Sequence, residues 1–313
     1  MRIGFFGTPE LASYVLGELC NAGHDVKWVV TQPDREAGRG RKITAPPVKE
    51  KALSLDIKVF QAEKLDKDFF EKIKAAGDTD VAVVIAYGLY IPSSFIDDLK
   101  LAPINIHFSL LPKYRGASPV ATAIMNGEDV TGVTIMKISK GMDEGDILAQ
   151  EKIKIDIKDT TQSLTQKLVE KGTALLLNIL EPYKDGTLKT LAQNKTGIEP
   201  TYTEKISSEQ RHIDWAQKSI DVHNKVRAFY PWPGAESKIN NMVVKFVDTM
   251  PVGSDEKDPP GTVIDVEKKK GFFVVKTVDG ALLVEKVQPS GKREMAVSEF
   301  LNGNDIKKGM RFL

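Results

Sequence analysis

Short apolar runs alternate with helical segments through the first third of the chain. The first helical segment is followed by Gly23, a common stop signal for a helix. Residues 81–86 form an uninterrupted apolar run, which is typical of a strand covered on both faces. The runs predict β-strands at 2–6, 25–31, 58–60, 81–86 and 104–108. This rhythm predicts an α/β fold, with a doubly wound, Rossmann-like domain around a mostly parallel sheet.

The pattern changes in the second half of the chain. Further helices are predicted at 118–126 and 164–180, and further strands at 131–138 and 149–157. The chain then turns polar. After one helix, predicted at about 219–228, it continues as short β segments at 237–246, 261–266, 271–277 and 281–288, divided by Gly and Pro, as in a small OB-like β-barrel. The predicted organisation is a Rossmann-like domain at 1–188, a linker at 189–208 and a C-terminal β-barrel domain at 209–313.

Composition narrows the class of protein. The 313 residues are 41% hydrophobic with a formal net charge of +1, so any signal for nucleic acid must be local rather than global. The single cysteine, Cys20, excludes an intramolecular disulfide, and the four histidines lack zinc-ligand spacing. Neither a signal peptide nor an apolar run of about 18 residues is evident. We therefore expect a cytoplasmic protein with no metal and no membrane span.

Two polar side chains interrupt the last apolar strand of the first domain. Asn105 and His107 are two residues apart, so in a strand they share a face. They stand near the carboxyl end of that strand, which is where open α/β sheets bind ligands. A buried histidine beside a turn-forming asparagine is the structural alternative. With the Gly- and Pro-rich turn that follows, this strand alone leaves the structural and the functional interpretation open.

A second candidate lies between two later strands, in the sequence ISKGMDEGDIL at 138–148. This segment is either a solvated acidic turn or a glycine-shaped loop that presents a carboxylate to the same sheet edge. Asparagine, histidine and aspartate together suit acyl transfer to an amine. The amide N–H can stabilise an oxyanion, the imidazole can move a proton, and the carboxylate can orient the imidazole or a water.

These elements together resemble the 10-formyltetrahydrofolate-dependent formyltransferases. The resemblance rests on Asn105-Ile-His107, on the turn at 109–112 with Arg115-Gly116 after it, and on Asp143. It implies that Asn105, His107 and Asp143 are catalytic. It also implies 10-formyltetrahydrofolate as co-substrate, with no permanently bound cofactor. The implied folate-binding residues are Tyr87, Gly88, Leu89, Ser109, Leu110, Leu111, Pro112 and Asp143.

A basic segment follows the second strand and is the local signal for nucleic acid. Its cations are Arg35, Arg39, Arg41 and Lys42. Such a run is often a solvated loop, but beside the sheet edge it suits a phosphate-bearing substrate. The resemblance extends over nearly the whole chain, from GTPE at 7–10 to RAFYPWPG at 227–234, and implies that this loop binds the acceptor end of initiator methionyl-tRNA.

Two other functions stay open from the sequence. A sister enzyme could use the same folate donor on another amine, such as an amino sugar nucleotide, because the three catalytic residues would be the same. A non-catalytic RNA-binding protein could use the same scaffold, although nothing would then require all three residues. The basic loop and the separate C-terminal domain favour tRNA, and we expect a monomer.

Overall fold

The computed structural model of the chain describes residues 1–37, 40 and 42–313. The strands are β1 (Arg2–Gly7), β2 (Asp25–Thr31), β3 (Arg35–Ala37), β4 (Lys42–Thr44), β5 (Lys58–Gln61), β6 (Val81–Ile85), β7 (Ile104–His107), β8 (Arg115–Gly116), β9 (Val130–Lys137), β10 (Ile147–Lys154), β11 (Tyr202–Thr203), β12 (Ala235–Ile239), β13 (Met242–Val252), β14 (Val263–Glu267), β15 (Phe272–Lys276), β16 (Ala281–Pro289) and β17 (Met295–Ala296). The α-helices are α1 (Glu10–Asn21), α2 (Pro47–Ser54), α3 (Lys67–Lys74), α4 (Ser93–Asp97), α5 (Pro119–Met125), α6 (Thr161–Lys184), α7 (Ser219–Ala228) and α8 (Val297–Gly303).

The chain folds into two compact units. The first unit contains Met1–Gly116, Thr131–Ile153 and Gln166–Tyr202. The second unit contains Ala117–Val130, Lys154–Thr165 and Thr203–Leu313. Among the described residues, no helix is both long and apolar enough to cross a lipid bilayer.

The first unit is built on a large sheet with the strand order β10-β9-β7-β6-β1-β2-β5. The strands from β7 to β5 in that order are parallel, while β9 pairs antiparallel with β7. This topology confirms the predicted α/β class, with an antiparallel strand beside the parallel set. Because β6 and β7 are parallel neighbours, the loops after them leave the same edge of the sheet.

An aromatic cluster fills one face of the parallel strands. The ring of Phe6 on β1 meets those of Trp28, Tyr87 and Phe95 edge-on, at centroid distances of 5.4, 5.3 and 5.6 Å. All four side chains are buried. Gly4 makes room for this packing, because a Cβ at that position would come within 2.1 Å of the Trp28 ring. The cluster makes the sheet a rigid base for the loops at its carboxyl edge.

The second unit has an antiparallel sheet with the strand order β12-β13-β16-β15-β14, and β17 pairs with β16. Its core includes Trp215, Phe246, Phe273 and Phe312, all buried. This confirms the predicted small β domain. The single strand predicted within it at about 237–246 is wrong in one respect, because Asn240 and Asn241 form a turn between β12 and β13 with φ of +47° and +64°. Two consecutive residues with positive φ are typical of the tight turns of hairpins.

Candidate active site

Strand β7 brings the two predicted polar residues to the centre of the sheet. Asn105 lies between Val84 of β6 and Met136 of β9, and His107 lies opposite Thr134 of β9. The intervening Ile106 is on the opposite face and is buried. The alternation along this strand therefore places an apolar side chain on one face and both polar side chains on the other.

The imidazole of His107 is buried and its orientation is fixed. Its Nε2 lies 2.9 Å from the main-chain oxygen of Tyr114. Because a carbonyl oxygen can only accept, Nε2 carries the proton and donates it to this bond. The other nitrogen, Nδ1, then faces the Asp143 carboxylate, with 3.6 Å between Nδ1 and Oδ2. The nitrogen that can accept a proton is thus turned toward a carboxylate, which would stabilise the resulting imidazolium.

The carboxylate of Asp143 is fixed from its own side by a backbone donor. Its Oδ2 accepts a hydrogen bond of 2.8 Å from the amide N–H of Gly116. Asp143 has a left-handed backbone, with φ of +53°, which aspartate tolerates better than most residues. Nearby, Gly145 has no room for a side chain, because a Cβ would lie 1.7 Å from the oxygen of Lys137. The glycine-shaped loop predicted from the sequence therefore brings Asp143 to His107.

The side chain of Asn105 is half-buried and, unlike that of His107, makes no hydrogen bond to any residue that the structure describes. Its amide group can therefore donate to a ligand at this edge. The three predicted catalytic residues thus include a proton acceptor, a carboxylate beside it and an uncommitted N–H donor on the same strand as the acceptor. Such a set can assist the attack of an amine on an acyl carbon.

The turn after β7 is held in shape by hydrogen bonds. The hydroxyl of Ser109 donates to the oxygen of Lys113 (2.6 Å), and the hydroxyl of Thr134 donates to the oxygen of Ser109 (2.6 Å). The N–H of Leu111 donates to Thr134 Oγ1 at 3.1 Å. Gln150 donates to the oxygen of Leu111 at 2.8 Å. Three residues of this turn are buried, namely Ser109, Leu111 and Pro112. Burial and hydrogen bonding together fix the conformation of the turn that follows His107.

The loop after β6 carries the other predicted folate-binding residues. The Tyr87 side chain points into the aromatic cluster, and burial raises the pKa of its phenol to about 12. Its main-chain oxygen instead accepts hydrogen bonds from Thr8 Oγ1 (3.2 Å) and Gln32 Nε2 (2.9 Å). Gly88 has φ of +85°, and a Cβ there would come within 2.7 Å of Gln32 Nε2. Any contact of Tyr87 with a ligand would therefore use its backbone.

The predicted basic segment is partly described. Strands β3 and β4 pair antiparallel, with Arg35 opposite Thr44. Arg35 and Lys42 are exposed and form no ion pair with a described residue. Arg39 and Arg41 lie outside the described residues.

Asp34, the residue before β3, connects the basic segment to the large sheet. The carboxylate of Asp34 pairs with Lys49 Nζ (2.7 Å) and accepts a hydrogen bond from Gln61 Nε2 (2.8 Å). These two contacts lower the pKa of the Asp34 carboxyl below its ordinary value. Because Lys49 lies on α2 and Gln61 on β5, the start of β3 is fixed on two neighbouring elements.

Sequence reasoning missed one buried polar residue at the site, Gln193. It falls in the predicted linker, where its neighbours are polar, and nothing in the local sequence distinguishes it from them. In the structure Gln193 belongs to the first unit, is 4% exposed and hydrogen-bonds to the Asp143 loop. In the part of the chain that the structure describes, no group of three or more His, Cys, Asp or Glu residues could hold a metal ion.

Comparison with known proteins identifies the class that this fold and site define. Residues 1–180 match the family model described as formyl transferase, and residues 205–305 match the formyl transferase C-terminal domain. The chain therefore belongs to the formyl transferase family.

Curated relatives are similar over the full length of the chain. Proteins named methionyl-tRNA formyltransferase are 38% identical in Sulfurihydrogenibium sp. (100% of each chain covered) and 40% identical in Fervidobacterium nodosum (100% of this chain and 99% of the relative). Among solved structures, an N-formyltransferase from Helicobacter canadensis in complex with folinic acid and dTDP-3-aminofucose has a TM-score of 0.68 at 21% identity, covering 94% of this chain and 100% of its own. At that identity the likeness shows the fold alone.

Proposed function

We infer that this protein transfers the formyl group of 10-formyltetrahydrofolate to the amino group of methionyl-tRNA. The observation that carries this inference is the full-length similarity to relatives of that name, at 37–40% identity. The grouping of His107 and Asp143 at the carboxyl edge of the sheet, with Asn105 on the same strand, supports it independently. The reaction in this proposal consists of the attack of an amine on the formyl carbon, together with proton transfer.

The residues act in the following way in this proposal. The neutral amine attacks the formyl carbon, and the Asn105 amide N–H stabilises the oxyanion that forms on the formyl oxygen. His107 accepts a proton from the attacking nitrogen at Nδ1, where Asp143 lies 3.6 Å away. The intermediate then breaks its bond to N10 of the folate, and tetrahydrofolate leaves with a proton returned by His107. Placing both reactants side by side supplies a further large part of the acceleration.

The roles of the remaining predicted residues follow from the same proposal. The loop with Gly88 and Leu89 and the turn at 109–112 would hold the folate, with Tyr87 contributing its backbone. Residues 1–188 would be the catalytic domain and 209–313 a tRNA-binding domain, while the predicted linker at 189–208 belongs to the first unit as far as Tyr202. We propose further that the tRNA is the initiator, and that the enzyme acts as a cytoplasmic monomer.

The two other functions are not favoured. Solved sugar formyltransferases resemble this chain at 21–24% identity, which shows only a common fold. The relatives with higher identity are named for methionyl-tRNA instead. A non-catalytic RNA-binding protein would not require an oriented histidine beside a carboxylate.

The direct test is formyl transfer from 10-formyltetrahydrofolate to charged tRNA. We expect the purified protein to formylate initiator methionyl-tRNA rapidly and elongator methionyl-tRNA much more slowly, as measured by acid-stable formyl incorporation. Equal rates on both tRNAs would contradict the proposed initiator preference. Transfer to an amino sugar nucleotide, with neither tRNA used, would refute the tRNA substrate and leave the formyl transfer.

A second test concerns the basic segment. The double variant Arg35→Ala/Lys42→Ala should raise the KM for methionyl-tRNA and leave the KM for 10-formyltetrahydrofolate near its normal value, because phosphate contacts are lost. The dependence of log affinity on log salt concentration should also weaken, by about 0.7 for each lost contact on a single strand.

The control for this test is Lys64→Ala/Lys67→Ala. It removes two exposed cations from the same unit, outside the proposed site. If the control raised the KM for tRNA as much as the test variant, a general loss of positive charge would explain the result. If the test variant also raised the KM for 10-formyltetrahydrofolate, the prediction that β3 and β4 contact the tRNA and not the folate would be wrong.

A further inference from the structure

Gln193 is a buried amide inside a polar stretch of sequence, and its segment is anchored to the first unit. It begins a short 3₁₀ helix at Gln193–Lys195. Two residues earlier, Leu191 exchanges both backbone hydrogen bonds with Ile147 at the start of β10, at 2.8 and 2.9 Å. Gln193 therefore enters the site on a fixed backbone, although it is far from the site residues in sequence.

The side-chain amide of Gln193 hydrogen-bonds to both the Arg115 guanidinium and the loop that carries Asp143. Its Oε1 accepts hydrogen bonds from Arg115 Nε (3.1 Å) and Nη2 (2.8 Å). Its Nε2 donates to the main-chain oxygens of Asp143 (2.8 Å) and Gly145 (2.9 Å). The orientation of the amide is determined by these partners, because a guanidinium only donates and a carbonyl oxygen only accepts.

Both hydrogen bonds from Nε2 end on the loop that carries the Asp143 carboxylate. That loop has a left-handed residue at Asp143 and a glycine without room for a side chain at Gly145. Fixing the carbonyl oxygens of both residues fixes the peptide planes around them, and so the direction in which the Asp143 side chain leaves the backbone. The carboxylate then stays within reach of Gly116 N–H and His107.

Arg115 adds a second connection to the same loop. Its Nη1 donates to Glu144 Oε1 (3.1 Å) and to the hydroxyl of Tyr202 (3.1 Å). The guanidinium therefore contacts Glu144, while Gln193 holds the backbone of the residues before and after Glu144, which are Asp143 and Gly145. Arg115 is itself buried, and its hydrogen bonds to Gln193 lie out of water, where they are stronger, whereas Glu144 and Tyr202 are exposed.

We propose that Gln193 is a positioning residue for the reaction, which holds the Asp143 loop so that its carboxylate faces His107. This inference rests on the proposed function for its reaction, and on the four hydrogen bonds above for its geometry. In this proposal Gln193 acts only through Asp143, because its four hydrogen bonds all go to Arg115 and to the Asp143 loop. Its loss should therefore slow turnover more than it weakens the binding of either substrate.

Two variants distinguish the hydrogen bonds of the amide oxygen, which go to Arg115, from those of the amide nitrogen, which go to the Asp143 loop. Gln193→Glu keeps an oxygen for Arg115 but turns a second oxygen toward the carbonyl oxygens of Asp143 and Gly145. Gln193→Met keeps the length of the side chain and removes both sets of hydrogen bonds. We expect kcat for formyl transfer to fall about 10- to 100-fold in both variants, with both KM values close to normal, because small displacements of a reacting group cost about that much.

The control is Asn194→Ala, which removes an exposed amide from the next position in the same 3₁₀ helix. It should leave kcat unchanged. Normal kcat in Gln193→Glu would overturn the proposal, because the donors to the Asp143 loop would then be unnecessary. A fall in Tm without a fall in kcat, in both Gln193 variants, would also overturn it by showing a purely structural role.

A spectroscopic readout separates this proposal from the proposed function. The ¹⁵N resonances of the His107 ring report on the group beside Nδ1 and need no turnover. They should shift in both Gln193 variants and stay in place in Asn194→Ala. Unshifted resonances would overturn the positioning role whatever the substrate is. Shifted resonances in a protein that does not formylate methionyl-tRNA would support the positioning role and refute the proposed function.

Discussion

The substitution His107→Gln is expected to lower kcat for formyl transfer by about 10²- to 10⁴-fold, the usual contribution of a positioned proton-transfer group. Glutamine can still place an N–H donor toward the main-chain oxygen of Tyr114, which now accepts from Nε2 at 2.9 Å. It has no nitrogen lone pair to accept a proton on the side of Asp143. The variant should therefore fold normally and bind folate, and lose mainly the chemical step.

The measurement is single-turnover formyl transfer, with folate binding followed separately. His212→Gln, a substitution of an exposed histidine in the second unit, serves as the matched control and should keep the normal rate. If His107→Gln transferred formyl at more than about a tenth of the normal rate, His107 would not be the proton acceptor. A loss of folate binding equal to the loss of rate would instead make it a binding residue.

The position of His107 could be predicted from the sequence because the determining signal is local. An apolar strand with polar residues at i and i+2 has only one way to place them, and the carboxyl edge of a parallel sheet is the usual ligand site. The same local logic predicted β6 from an apolar run and α7 from its helical pattern. It could not predict that β9 would join the sheet antiparallel to β7, since pairing direction depends on distant partners.

The supporting residues of the site were beyond sequence reasoning for the same physical reason. Gln193 reaches its partners across 48 to 78 positions of chain, and no periodicity connects residues so far apart. Thr134 and Gln150 hold the turn after β7 from across the sheet, at a separation of 23 to 39 positions. Resemblance to a family supplied the catalytic residues as predictions, whereas the side chains that orient them emerge only from the fold.

The turn at Asn240 and Asn241 has a local sequence signal of its own, separate from the hydrophobic pattern. Asparagine tolerates positive φ, and two such residues in succession favour a two-residue hairpin turn. Apolar residues lie on both sides of this turn, at Ala235 and Ile239 before it and at 242–244 after it, so apolar content alone suggests one continuous strand. Turn chemistry decides between one strand and two where apolar content does not.

Asn105 is where the second large effect is expected. Its side chain has no hydrogen bond to a described residue, so substitution should disturb the folded protein little. Asn105→Ala removes the N–H donor and should lower kcat by about 10²- to 10³-fold, as loss of one oxyanion donor does. Asn105→Asp has nearly the same shape, but it places a negative charge where the oxyanion develops, so its kcat should be lower than that of the alanine variant.

The order of the two variants is the sharpest feature of this prediction. A role in ground-state binding or packing would make the isosteric aspartate the milder change, whereas a role as an oxyanion donor makes it the more harmful one. Asn302→Asp, at an exposed position of α8, controls for the added charge and should keep a normal rate. If Asn105→Asp retained more activity than Asn105→Ala, Asn105 would not be the oxyanion donor, and a group other than its amide would have to stabilise the oxyanion.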